Sequence, residues 1–258
     1  MSLIRGRSKR KTQTAPLRSS TPVKAQAALG FDYTLKRSSK RRSVAIAVRG
    51  GEVSLSAPMG VCERELQQWL AGKRGWVLAK LKQQNLHALE IPSRHYGNGD
   101  SLYYLGAEYP LQVMAAALSS VSFSHNDGFV VALANSGARP VSARVQTLLQ
   151  TWFKRRALDL LCAKTQLLCA RMNLTVNDVC VRRTKSKWGH CTSKGVIQYN
   201  WLILCAPEPV VDYLIAHEVC HLRHHNHSSA FWELVESVCQ DYTEHKVWLQ
   251  RYGHTLTV

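Results

Sequence analysis

The chain has no apolar run approaching the roughly 18 residues that a membrane-crossing helix needs, and Met1 to Arg7 contains no apolar secretory core. The expectation is therefore a cytoplasmic protein with no membrane partner. None of the eight cysteines (62, 162, 169, 180, 191, 205, 220 and 239) forms a C-x-x-C pair, which argues against a dithiol redox motif or a zinc ribbon and leaves reduced, packed thiols. There is no internal repeat. Acidic residues are absent from residues 1–28, where Arg5, Arg7, Lys9, Arg10, Lys11, Arg18 and Lys24 supply +7 of the net charge of +17. A basic stretch without a hydrophobic pattern reads as a disordered tail, able to make weak phosphate contacts with nucleic acid.

What is present is ordinary globular patterning: 258 residues, 45% of them hydrophobic, suffice for a substantial core. Val44, Ile46 and Val48 alternate with small or polar residues, and after Gly50-Gly51 the alternation resumes at Val53, Leu55 and Ala57, which predicts a β-hairpin. Leu66, Trp69, Leu70, Val77 and Leu81 have helical spacing interrupted by Gly72 and Gly75. Strand-like runs follow at 102–104, 109–113, 121–123 and 129–133, so residues 29–137 form a β-rich N-terminal part ending at the Ser136–Pro140 boundary. Residues 138–258 begin with a long amphipathic helix through Val145, Leu148, Leu149, Trp152, Phe153, Ala157, Leu160 and Leu161. Strands are expected near 179–184 and 196–203, joined by a loop over 185–195, and the fold class is α+β.

His217-Glu218-Val219-Cys220-His221 carries the chemistry. It has the H-E-x-x-H pattern, on a helix opened by Ala206-Pro207-Glu208-Pro209 and buried through Val210, Val211, Leu214, Ile215 and Val219. Two imidazoles one turn apart can share a Zn²⁺, and Glu218 between them can take a proton from a metal-bound water. The third ligand is open. His227, six residues beyond His221, has suitable spacing, whereas His224 on a continued helix would lie about 10.5 Å from His217 along the axis. The chain must turn. Asn226 could supply a left-handed residue, and Ser228 or Ser229 could cap a helix carrying Phe231, Trp232 and Val235. Glu233 or Glu236 on that helix is the alternative ligand.

Three further runs surround the motif: Arg183-Thr184-Lys185-Ser186-Lys187-Trp188-Gly189-His190-Cys191, then Ile197-Gln198-Tyr199-Asn200-Trp201-Leu202, and after the histidines Asn226-His227-Ser228 with Phe231-Trp232. Together with the basic stretch Leu35–Ser43, they resemble the YgjP-like metallopeptidase-domain family, related to the SprT-like and WLM zinc proteases, over roughly residues 30–252. The resemblance implies a zincin-like catalytic part over 138–258, one zinc per chain held by His217, His221 and His227, and Glu218 as catalytic base. It implies a zinc metallopeptidase acting on a peptide or unfolded protein, with nucleoside triphosphate (UTP-type) pyrophosphatase activity as the alternative. His190 departs from the family pattern, where serine is usual. Arg183, Lys187, Trp188 and Asn200 are the candidate substrate-binding residues: the cations, with Arg182, Lys185 and Lys194, suit phosphates, and Trp188 suits a base. For a peptide, the strand near 196–203 is expected to offer an exposed edge.

Overall fold

The hairpin pattern of residues 44–57 forms as a pair of antiparallel strands, and it belongs to the first of two units into which the contacts divide the chain, Met1–Glu90 and Ile91–Val258. The computed structural model describes residues 18–23, 29–91, 93–135, 138–184 and 186–258. Among these are six α-helices and three small sheets, an α+β arrangement, and no helix is long and apolar enough to cross a membrane.

In the first unit, strands β1 (Arg18–Val23), β2 (Tyr33–Ser38), β3 (Ala45–Arg49) and β4 (Glu52–Pro58) lie in the order β1-β2-β4-β3. Gly50 and Gly51 both have positive φ, which the tight β3–β4 turn uses and which glycine adopts without a Cβ penalty. Helices α1 (Glu63–Gly72) and α2 (Arg74–Glu90) are separate, parted at Lys73, as the glycines implied. Leu66, Leu70 and Val77 pack with Val53, Leu55 and Ala57 of β4 in a core of their own. Within the stretch 1–28 expected as a tail, Arg18–Val23 pair antiparallel with Tyr33–Ser38; the rest of that stretch lies outside the described residues.

In the second unit, β5 (Ser101–Tyr104), β6 (Ala107–Ala116), β7 (Ser120–Ser124) and β8 (Gly128–Ala134) form a sheet in the order β5-β6-β8-β7. Helix α3 (Val141–Arg171) buries Val145, Leu149, Phe153, Ala157, Leu161, Thr165 and Cys169, a residue every fourth position and hence one continuous stripe. Phe153 on this stripe stacks on Phe129 of β8 with ring centroids 5.4 Å apart. Because that sheet shares its core with α3, the division by contacts falls at Glu90/Ile91, whereas the sequence pattern suggested 137/138.

Strands β9 (Asp178–Arg182), β10 (Gly189–Cys191) and β11 (Val196–Asn200) make the third sheet, in the order β10-β11-β9. Two sequence expectations change here. The stretch 185–195 contains a strand, and β11 is central, so the exposed edge expected near 196–203 is taken up by ladders on both sides and β10 and β9 are the edges instead. Beyond β11, Trp201–Cys205 form a buried 3-10 turn. Helices α4 (Glu208–Cys220), α5 (Ser229–Val238) and α6 (Tyr242–Tyr252) complete the chain. Lys164 of α3 pairs with Glu208 at 2.6 Å and Asp212 at 2.7 Å, and Thr165 shares a buried hydrogen bond of 2.9 Å with the Tyr199 hydroxyl, so α3 anchors both α4 and β11.

Candidate metal centre

Helix α4 begins after Pro207, whose missing N–H costs nothing at a helix start, and ends at His221, where the turn tightens: Leu222 and Arg223 donate to Val219 and Cys220 three residues back. His217 and Glu218 thus lie in the last turn and His221 at its cap. The following turn does not use a left-handed Asn226, since the described non-glycine residues with positive φ are Tyr96, Leu105 and Asn173. Asn226 instead accepts the Ser228 N–H through Oδ1 at 3.4 Å, a local side-chain turn, and Ser228 holds the N-cap position of α5 without a side-chain capping bond.

This turn returns His227 to the helix. One ring nitrogen from each of His217, His221 and His227 lies within 4.8 Å of the others, and the Nε2 atoms of His217 and His227 are 3.2 Å apart. Two corners of a tetrahedral site with metal–nitrogen bonds of 2.0–2.1 Å are separated by about 3.3 Å, the spacing of the His217 and His227 Nε2 atoms, so the three-imidazole cluster is one that could hold a metal ion. Neither Glu233 nor Glu236 belongs to the cluster; both are exposed on α5.

His221 and His227 are held from behind, whereas the buried Nδ1 of His217 has no hydrogen-bond partner. The His221 Nδ1 lies 2.9 Å from the His224 carbonyl, a bond in which the ring donates, which fixes its tautomer and leaves Nε2 to face the cluster. The His221 ring stacks on Phe231 at 4.5 Å, and the His227 ring stacks on Trp232 at 5.6 Å. Trp232 is itself stacked on Tyr242 at 5.3 Å and carries the Lys246 ammonium 3.9 Å from its ring centroid. Burial, reinforced by His221, His227 and Lys246, depresses His217 to about 3, so this ring is a neutral ligand at ordinary pH.

Glu218 is set differently. Only 4% exposed, its carboxyl is pushed up to about 8 by burial, against the opposing pull of Lys187 and of the Cys191 N–H, which donates to it. Its Oε2 is buried and has no hydrogen-bond partner, an unmet acceptor of the kind that a water or substrate proton would satisfy. The carboxylate lies against Gly189 of β10 so closely that a Cβ there would fall 2.3 Å from Oε1, 2.5 Å from Cδ and 2.6 Å from Cγ. Gly189 is therefore a contact residue that motif reading overlooked; its signal was a glycine in Trp188-Gly189-His190, without any turn to account for it.

A cleft of ≈ 370 Å³ opens over these groups, lined by the three histidines, Glu218, Lys187, Gly189, His190, Cys191, Ser193 and His225. Of the four candidate substrate-binding residues, Lys187 is on the cleft. Arg183 is exposed and does not line it. Trp188 is half-buried and packs on Gly253, where a Cβ would sit 3.0 Å from the indole Nε1. Asn200 is buried, donating to the Thr184 carbonyl at 3.1 Å and accepting the Leu202 N–H at 3.2 Å, so its amide is committed to joining the β9–β10 connection to the 3-10 turn. His190 lines the cleft, as its departure from the family pattern allowed. The Cys191 thiol is pushed up to about 11 by burial and the nearby Glu218, which keeps it protonated, and all eight cysteines are free.

The family model for the YgjP-like metallopeptidase domain matches residues 42–252. No curated protein and no solved structure matches the chain.

Proposed function

We propose, from the premise that this chain belongs to the YgjP-like metallopeptidase-domain family, that it is a zincin-like, zinc-dependent hydrolase. In this reading His217, His221 and His227 hold one Zn²⁺, Glu218 is the general base, and the substrate is a peptide or unfolded protein. The observation that carries it is the convergence of three imidazoles with a buried carboxylate whose Oε2 lacks a partner. A donor set of three neutral nitrogens suits zinc, with the fourth position left for water or substrate. When bound, zinc supplies Lewis acidity: it brings water to a pKa of about 7 and polarises the attacked oxygen.

The chain's own groups do the rest. The Cys191 N–H fixes Glu218 while Oε2 takes the proton of the attacking water and delivers it to the leaving nitrogen. Lys187, at the mouth of the same cleft, faces the negative charge that develops during attack. Strand β10 favours an extended substrate. Trp188 and Thr192 bond to β11 through their backbones, so by antiparallel alternation Gly189 and Cys191 turn their backbone groups away from β11; the Cys191 N–H is taken by Glu218, which leaves the Gly189 groups and the Cys191 carbonyl for a substrate in the cleft. The second reading, nucleoside triphosphate pyrophosphohydrolysis at the same metal site, is favoured by Lys187 and Ser193, which could hold phosphate oxygens.

The test is metal analysis of the purified protein followed by parallel assays on an unfolded protein and a panel of nucleoside triphosphates. Chelation should abolish turnover, and stoichiometric zinc should restore it. Zinc-loaded protein inert toward both substrate classes would sink the hydrolase reading.

A further inference from the structure

The charge of the chain is concentrated in its first unit: residues 1–90 contain 18 of the 34 lysines and arginines but 5 of the 17 acids. Part of this belongs to the N-terminal stretch, yet residues 29–90 alone carry a net +6. The sheet of this unit has two unlike faces. Tyr33, Val53, Leu55 and Ala57 point into the core under α1 and α2. The register pairs Thr34 with Ser54 and Lys36 with Ser56 on the opposite face, and sets Ala45 and Ala47 of β3 against Ser56 and Ser54. Across β2, β3 and β4 that face therefore bears hydroxyls, methyls, Lys36, Arg49 and Glu52, with no aromatic and no large aliphatic side chain among these described residues.

Cations gather on and beside it. Lys36 stands on the face, and Lys40 and Arg42 follow on the β2–β3 connection; all three are exposed. Among the described residues none of these three forms an ion pair with a carboxylate. Glu52 is the one acid on the face, and it lies opposite Arg49. The neighbouring Arg37, by contrast, is committed to the fold: its guanidinium donates to the carbonyls of Pro58, Met59 and Val61.

We propose that this sheet face and its β2–β3 connection bind a phosphodiester chain, RNA or DNA, through its phosphates and without reading its sequence. Four strands at about 4.8 Å spacing give a surface about 14 Å across, wide enough for several successive phosphates. Cations provide the attraction and serine and threonine hydroxyls provide donors to phosphate oxygens, whereas the lack of aromatics removes base stacking as a source of affinity. The lack of large apolar groups also disfavours a membrane, which a docked surface would enter with such side chains.

The experiment uses the full chain and fluorescence anisotropy with a labelled mixed-sequence 20-nucleotide RNA and its DNA counterpart, titrated from about 50 to 300 mM salt. The variant combines Lys36→Glu, Lys40→Glu and Arg42→Glu, exposed positions whose folding is checked by circular dichroism and zinc content. A parallel Lys→Gln and Arg→Gln version serves if charge reversal impairs folding. Removing three phosphate contacts should lower the slope of log K against log salt by about 2 and weaken binding to RNA and DNA alike by at least about 30-fold near 100 mM salt. A comparison variant with Arg5, Arg7, Lys9, Arg10 and Lys11 changed to Gln should lose less. The proposal is overturned if the sheet variant binds like the unmodified protein, or if the N-terminal variant accounts for the whole loss. It is equally overturned if phosphatidylserine vesicles bind as tightly as RNA with the same sensitivity to Lys36, Lys40 and Arg42.

Discussion

Gly189→Ala tests the site with a single methyl group. The new Cβ would stand 2.3 Å from Glu218 Oε1, 2.5 Å from Cδ and 2.6 Å from Cγ, whereas ordinary contact begins at 3.4 Å, so carboxylate and strand must separate by about 1 Å. The carboxylate has little room to yield, because it is buried and its oxygen is held by the Cys191 N–H. An overpacked contact of this sort costs about 1–3 kcal/mol of stability. Its effect on turnover is larger, since a displacement of about 1 Å in a catalytic group lowers rate by about a hundredfold. The three histidines are not touched by the change, so zinc stoichiometry should stay at one per chain. The assay is kcat on whichever substrate the zinc-loaded protein turns over, read beside zinc content and Tm. Gly97→Ala is the control, since its added Cβ meets nothing within 4 Å. Unchanged kcat in zinc-loaded Gly189→Ala would refute the argument that β10 fixes the base.

Glu218→Gln should retain zinc and lose at least about a hundredfold in rate, the lower range for removal of a general base; a zinc-loaded, fully active variant would take Glu218 out of that role. His227→Ala should lose zinc on dialysis against a weak chelator, while His224→Ala, His225→Ala and Glu236→Ala keep it, because His224 contributes a backbone carbonyl and Glu236 lies outside the cluster; the reverse pattern would assign a two-histidine, one-glutamate site. Trp232→Ala, which removes the ring stacked on His227, should weaken zinc affinity by about 10–100-fold without abolishing it, measured by competition with a chromophoric chelator. Asn200→Ala should lower stability by about 0.5–2 kcal/mol through loss of its cap and its tie to Thr184, yet leave KM unchanged; a raised KM at unchanged Tm would restore Asn200 as a substrate contact.

The sequence by itself determined the elements whose cause is local. The alternation around Gly50-Gly51 specified a hairpin because side chains in a strand repeat every second residue, and the amphipathic helix from Val145 to Leu161 was legible because a helix returns to the same face, although its buried stripe runs on to Cys169. The same reasoning located the candidate histidine cluster: His217 and His221 are one turn apart wherever their helix lies, and His227 had to be reached by a turn. Tertiary structure decided what depends on residues distant in sequence. No local pattern marks Gly189–Cys191 as a strand, since three residues form one only when β11 pairs beside them, and that pairing made β11 central. Nor does any pattern reveal that Gly189 must lack a side chain because Glu218, 29 positions later, occupies the space. Asn200 and Trp188 read as substrate contacts because polarity and aromaticity suit binding. The fold gives their groups to Thr184, Leu202 and Gly253, because a buried amide needs partners and a large ring needs packing more than a surface loop needs either.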